Sequence, residues 1–329
     1  MMDGKNSMDP IEIFRCPECG GRLGRQESLL ACESCCASYP VREGIPCFAG
    51  EDEFYEGRFT APTEDGLARR SGVGRGSKAF FDRFSSRTVK HQFTRSFLNR
   101  FGPEALILDV GCGGGNELLA PYRTVGIDLS YAGLVEARKI YQAVATADAL
   151  RLPFAGNTFD AISSWDVFGH VPFLEKGPLL AEWKRVLKPG GYMLHIIEAH
   201  CTAPFYKLVR SDEELFYRYF IEMDGHFGLE LPSQITERFE RAGFRIEKSW
   251  SFFRGGVFPP DEYAKRLAAG PEYGESSRLL RVLGGFGSLC ARNRQVDRVA
   301  SFATGVAARA VNPLLPKDWG STVFIICRG

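Results

Sequence analysis

Three groups of residues in the 329-residue chain have the types and spacing to do chemistry. The first lies in "LILDVGCGGGNELL" (residues 106–119), where Asp109 precedes Gly111, Cys112, Gly113, Gly114 and Gly115. Glycine tolerates positive φ and carries no side chain, so a ligand can rest against bare peptide there. The spacing is G-x-G-G-G, not the G-x-G-x-x-G of dinucleotide binders. An acid ahead of the first glycine repels a pyrophosphate and suits a cationic amino-acid group. Asp128 in "VGIDLS" ends the next apolar run, placed to accept both hydroxyls of a ribose. Asp148 in "TADALRLPF" ends a third and can accept from an adenine amino group, with the Ala149 amide beside it. Together the three acids describe a nucleoside cofactor with an amino-acid end.

The second group is a ladder of cysteines. Six of the ten fall before residue 48, in "FRCPECGGRLGRQESLLACESCCASYPVREGIPCF". Two C-x-x-C turns, Cys16 with Cys19 and Cys32 with Cys35, present four thiolates to one tetrahedral ion, the double-knuckle pattern of a zinc ribbon. The neighbouring Cys36 competes with Cys35 for the fourth position, and a redox dithiol is the other reading. A closed four-cysteine site is structural. The third group is five histidines, His91, His170, His195, His200 and His226.

These residues need elements to hold them. The cysteines define a module over residues 1–49, and the acidic and glycine-rich stretch 50–79 reads as a solvated linker. Residues 80–329 form the larger domain. Phe80 to Phe101 carries apolar residues at helical spacing. Short apolar runs then alternate with helical segments, from "ALILDV" through "TVGIDL", "AVATAD" and "FDAISSWDV" to "YMLHIIEA", as strands buried on both faces and their crossovers do. The fold class is α/β, a doubly wound and mostly parallel sheet. "SQITERFERAGF" reads as a helix capped by its serine, "RIEKSWSFF" and "STVFIICRG" as late strands.

The motifs in this order resemble the class I S-adenosylmethionine-dependent methyltransferases, in the broad small-molecule, type 11-like group. "ILDVGCGGG", "GIDLS", "ADALRLPFAGNTFDAI" and "WKRVLKPGGYML" carry the likeness, over about residues 80–250. It implies a Rossmann-like sheet of seven strands. It also implies that Asp109, Gly111, Cys112, Gly113 and Gly115 hold the methionine part, Asp128 and Leu129 the ribose, and Asp148 and Ala149 the adenine. Trp165 and Asp166 would line the floor near the reacting methyl. "YPVREGIP" resembles zinc-ribbon modules that precede some methyltransferases, among them ribosomal RNA guanine methyltransferases.

A sulfonium is already a strong methyl donor, so the protein's task is alignment. A hydroxyl acceptor gains from a base, and His170, four residues past Asp166, is the candidate catalytic residue. His200 and His226 flank a substrate lid over residues 200–232. His195 reads as a core residue and His91 as a solvated helix face. With 41 basic and 40 acidic side chains the net charge is +1, which gives no global pull toward nucleic acid or anionic lipid. Local excesses exist: nine Lys and Arg against one Asp in residues 69–100, and an arginine-rich insertion over 252–318. The expected acceptor is therefore a small molecule methylated at oxygen, gripped by the lid and the insertion. The rival is an RNA base, with the ribbon as docking module. No apolar run is long enough for a membrane span or a signal peptide, so a cytoplasmic enzyme is expected, with peripheral lipid contact open to the insertion.

Overall fold

The computed structural model describes residues 11–50, 52–56, 83–85, 88–254 and 278–329. Most of the stretch read as linker, and residues 255–277 of the insertion, lie outside them. The N-terminal module is an antiparallel sheet in the order β1-β2-β3-β4, from β1 (Leu23–Gln26), β2 (Leu29–Cys32), β3 (Ser38–Arg42) and β4 (Ile45–Pro46). Its own core is small: Cys16, Leu30 and Tyr39 are buried with a few half-buried neighbours. So few apolar contacts supply little stability to a domain of this size.

The large domain opens with α1 (Val89–Leu98), which buries Val89, Phe93 and Phe97 at spacings of four. There follow β5 (Leu106–Val110), β6 (Arg123–Asp128), α2 (Tyr131–Ala137), β7 (Ala143–Thr146), β8 (Phe159–Trp165), α3 (Lys176–Val186) and β9 (Leu187–Glu198). Then come α4 (Pro204–Val209), α5 (Glu213–Phe216) with a π-helical continuation (Tyr217–Glu222), α6 (Pro232–Arg241) and β10 (Arg245–Phe252). A helical hairpin, α7 (Arg278–Arg292) and α8 (Arg294–Val311), precedes β11 (Thr322–Arg328). Ser130 caps α2 by accepting from the Gly133 amide. The expected serine cap of α6 is absent. Gln234 instead accepts from the Leu231 amide at 3.0 Å, and Ser233 donates to Asp318.

The seven strands run β10-β11-β9-β8-β5-β6-β7. β7, β6, β5, β8 and β9 are parallel, and β11 inserts antiparallel between β9 and β10. The expected Rossmann-like, mostly parallel sheet is therefore present. Strand order reverses between β5 and β8, and doubly wound sheets open a crevice at the carboxyl ends of the strands where this happens. Asp109 is level with Gly126 of β6 and Ser163 of β8, so the acidic strand ends share one edge.

The small sheet is docked, not tethered. Phe14 pairs with Phe154 and belongs to the large core, its ring 5.5 Å from that of Phe154. Cys47 bridges to Thr146 of β7, whose carbonyl accepts from Phe48 at 2.9 Å. β7 is the outermost strand of the sheet, and the module covers its free edge. Among the described residues no helix is long and apolar enough to cross a membrane.

Candidate active site

The glycine turn follows β5. Gly111, Gly113 and Gly115 all have positive φ. At Gly111 a Cβ would stand 2.3 Å from Val167 Cγ2, so the missing side chain makes room for a residue of the loop just after β8. At Gly133 a Cβ would touch the Gly113 carbonyl carbon at 2.9 Å, which lets α2 press against the turn. Part of the glycine content thus serves packing within the protein.

Asp109 lies beneath the turn, 4% exposed, and accepts from the Tyr141 hydroxyl at 2.7 Å. That hydroxyl also accepts from the Asn116 amide, so one buried chain ties the strand and the turn to the segment between α2 and β7. Burial pushes the Asp109 carboxyl up to about 7, against the Tyr141 hydrogen bond, with Asp128 adding to the rise. Asp128 ends β6 and accepts from the Gly113 amide at 2.7 Å and the Ser130 amide at 2.8 Å. Burial raises its pKa, and those amides pull it back. Leu129, Asp148, Ala149, Trp165 and Asp166 keep accessible surface along the same edge.

Residues 52–56 cross this edge. Glu56 caps α2 with both oxygens, accepting from the Tyr131 amide at 2.9 Å and the Ala132 amide at 3.0 Å. The Tyr55 ring lies 5.9 Å from that of His170, and Phe54 sits where a Cβ on Gly225 would be. This piece of the expected solvated linker is a strap joining α2 to the lid.

At the end of β8 Asp166 adopts φ +56, a conformation rare outside glycine, and pairs with Lys90 of α1. Strain of this kind persists where surrounding structure holds it and clusters at functional sites. The last residue of β9, Glu198, meets Nε2 of His226, which the lid carries down to it. Burial alone would raise Glu198, yet the hydrogen bond and charge of His226, with Lys90 behind them, hold it at about 2. His170 follows β8, its Nδ1 3.1 Å from the Gly225 carbonyl and its ring 4.8 Å from that of His226. Burial and His226 keep its pKa below the ordinary value.

The segment 200–232, expected to form a lid, is anchored from below. Lys176, fully buried, donates to the Gly228 carbonyl at 2.6 Å and pairs with Glu230 at 3.1 Å. Arg238 grips the same carboxylate with two nitrogens. Burial lowers Lys176 to about 8 despite Glu230.

A family model described as "Methyltransferase domain" matches residues 108–195, the span from β5 to β9 that carries these strand ends. Demethylmenaquinone methyltransferase of Lactiplantibacillus plantarum is 30% identical over 171 residues, 43% of this chain and 70% of that protein. The chain belongs to the S-adenosylmethionine-dependent methyltransferases. The protein named "Probable tRNA methyltransferase 9B" of Mus musculus is 38% identical over 103 residues, 30% of this chain and 23% of that one. Across the latter and three other curated relatives the match spans 23% to 61% of their length. Phosphoethanolamine N-methyltransferase 2 of Haemonchus contortus, solved with S-adenosylmethionine, aligns with a TM-score of 0.43 at 20% identity, over 72% of this chain and 52% of that one.

The methyltransferase brings the residues expected from its sequence to one edge of the sheet, with Asp109 beneath it. His195 is in the core, stacked on Trp183 at 4.7 Å and paired with Ser164. Burial drives its pKa to about 3. His200 accepts from Arg210 at 2.7 Å, and burial with that arginine holds its pKa to about 4. His91 is not on a solvated face: its ring packs edge-on against Trp165, 5.3 Å away. Lys90, Glu198, Tyr55 and Glu56 were not legible as site residues. Only Glu198 carried a usable signal, as the acid closing the apolar run "YMLHIIE".

Among the described residues two sets of side chains can hold a metal. The sulfurs of Cys16, Cys19, Cys32 and Cys35 lie within 4.8 Å of one another, with Cys19 3.4 Å from Cys32 and 3.5 Å from Cys35, while Cys36 and Cys47 stand outside the group. The second set is His170, Glu198 and His226.

Proposed function

We propose that this enzyme transfers the methyl group of S-adenosylmethionine to the oxygen of a small-molecule acceptor, in the cytoplasm. The observation that carries the reading is the polar cluster at the ends of β8 and β9, roofed by the lid and crossed by residues 52–56. An acceptor there would lie beneath the lid rather than across an open surface. The turn after β5 with Asp109 behind it would seat the amino-acid end of the cofactor, Asp128 and Leu129 the ribose, Asp148 and Ala149 the adenine. Trp165 and Asp166 would face the methyl. The positive sulfur supplies the electrophile; the protein's own part is to align the acceptor and exclude water.

His170 is the catalytic residue in this reading. Its Nδ1 faces a carbonyl and so carries the hydrogen, which leaves a lone pair on Nε2. The low pKa set by burial and His226 keeps that lone pair available near neutral pH. The four cysteines would hold a structural zinc ion: a Zn–S bond of about 2.3 Å puts tetrahedral sulfurs about 3.8 Å apart, close to the spacing here.

The tRNA-named relative supports the rival, an RNA base as acceptor. The acceptor class is tested by incubating the enzyme with labelled S-adenosylmethionine and cell extract split into small-molecule and RNA fractions. Label in the small-molecule fraction, lost in His170→Ala, is expected. Label in RNA, with binding to ribosomal RNA that falls steeply between roughly 50 and 200 mM salt, would replace this reading with its rival.

A further inference from the structure

We infer that His170, Glu198 and His226 form a binding site for one divalent transition-metal cation, distinct from the four-cysteine cluster and open toward the acceptor pocket. The three side chains come from separate places in the chain: the loop after β8, the last residue of β9 and the lid. The fold brings one ligand atom from each within 4.8 Å of the others. Two imidazoles and a carboxylate on one side of an ion, with the remaining positions free, are a donor set suited to zinc, manganese or iron.

The surroundings match what orients metal ligands. A ligating histidine usually turns its other nitrogen to a carbonyl or carboxylate. His170 Nδ1 faces the Gly225 carbonyl at 3.1 Å, and His226 Nδ1 faces Asp224 at 3.9 Å, so the Nε2 atoms are the ones left for the pocket. His226 Nε2 is already turned onto Glu198. Formal charge agrees: Asp166 pairs with Lys90, while Glu198 and Asp224 both face His226, so two carboxylates share one imidazole and a dication in place of its proton offsets the remaining negative charge.

Such an ion would take up the Nε2 lone pair of His170, so in the metal-bound enzyme His170 is a ligand and not the base; the ion itself would hold an oxygen of the acceptor and make a hydroxyl there more acidic. That use rests on the pocket being the acceptor site; binding of the ion does not, and it can be measured without any acceptor. The full chain is freed of loosely held metal and titrated with manganese, free Mn²⁺ being read by electron paramagnetic resonance. Manganese prefers oxygen and imidazole donors, so the thiolates do not compete. A parallel titration counts zinc by elemental analysis.

One saturable manganese per chain, or a second zinc beyond the cysteine-bound equivalent, is expected. Glu198→Gln and His226→Ala should each weaken that binding at least tenfold while S-adenosylmethionine still binds. If His226→Ala fails to fold, His170→Gln serves in its place. Absence of a saturable site for either metal, or binding that survives loss of all three ligands, would overturn the inference.

Discussion

Gly111→Ala tests how the cofactor turn is built. Two costs add at this position. Its φ of +65 is a left-handed conformation, which costs a residue with a Cβ about 1 to 2 kcal/mol. The new methyl would also stand 2.3 Å from Val167 Cγ2, and a β-branched neighbour has few rotamers to escape to. Overpacking of this sort costs about 1 to 3 kcal/mol. The single variant should therefore lose about 2 to 5 kcal/mol of stability. Val167→Ala alone removes two methyl groups from a half-buried side chain and should cost about 1.5 kcal/mol. In the double variant the overlap disappears and only the φ strain and the lost methyls remain. It should be about 1 to 3 kcal/mol more stable than the sum of the singles, read by urea unfolding in a double-mutant cycle. Additivity within about 0.5 kcal/mol would refute the claim that glycine is there to admit Val167.

Asp128→Ala should weaken S-adenosylmethionine binding by about 1 to 3 kcal/mol in calorimetry, since it also frees the Gly113 and Ser130 amides; unchanged affinity would displace the ribose from Asp128. His195 has a folded pKa of about 3, far below its unfolded value, so its contribution to stability is complete above about pH 6.5 and is lost as pH falls toward 3. From pH 6.5 to 5 the loss should approach about 2 kcal/mol, and a His195→Gln variant unfolding with the same acid slope would contradict this. Phe14→Ala should cost about 3 to 5 kcal/mol and release residues 11–49 to limited proteolysis, because the ring is 1% exposed within the large core; an unaltered digestion pattern would argue against docking through Phe14.

Sequence periodicity made the sheet legible because strands buried on both faces read as unbroken apolar runs, and "LILDV" and "TVGID" became β5 and β6 almost to the residue. The cysteine ladder was equally plain, since a C-x-x-C turn depends on local geometry alone. What stayed hidden depends on distant contacts. Nothing local in "DEFYE" says that Glu56 will cap a helix seventy-five residues away. His91 sits at a polar-looking helix position, and only the approach of Trp165 from β8 turns it inward. The Lys90–Asp166 and His226–Glu198 pairs join chain segments that no spacing rule relates.

If the four thiolates do hold an ion, the docked cysteine module makes the protection of an outer strand depend on it. Thr146 and its neighbours on β7 would otherwise present unpaired amides and carbonyls to solvent, a template on which another molecule's strand can grow. Because the module has little core of its own, whatever ion its thiolates take up would also guard that border. Starving the cell of such an ion would then turn the chain self-adhesive even where the cofactor edge of the sheet is unchanged. Insoluble protein, rather than slow turnover, would be the first symptom.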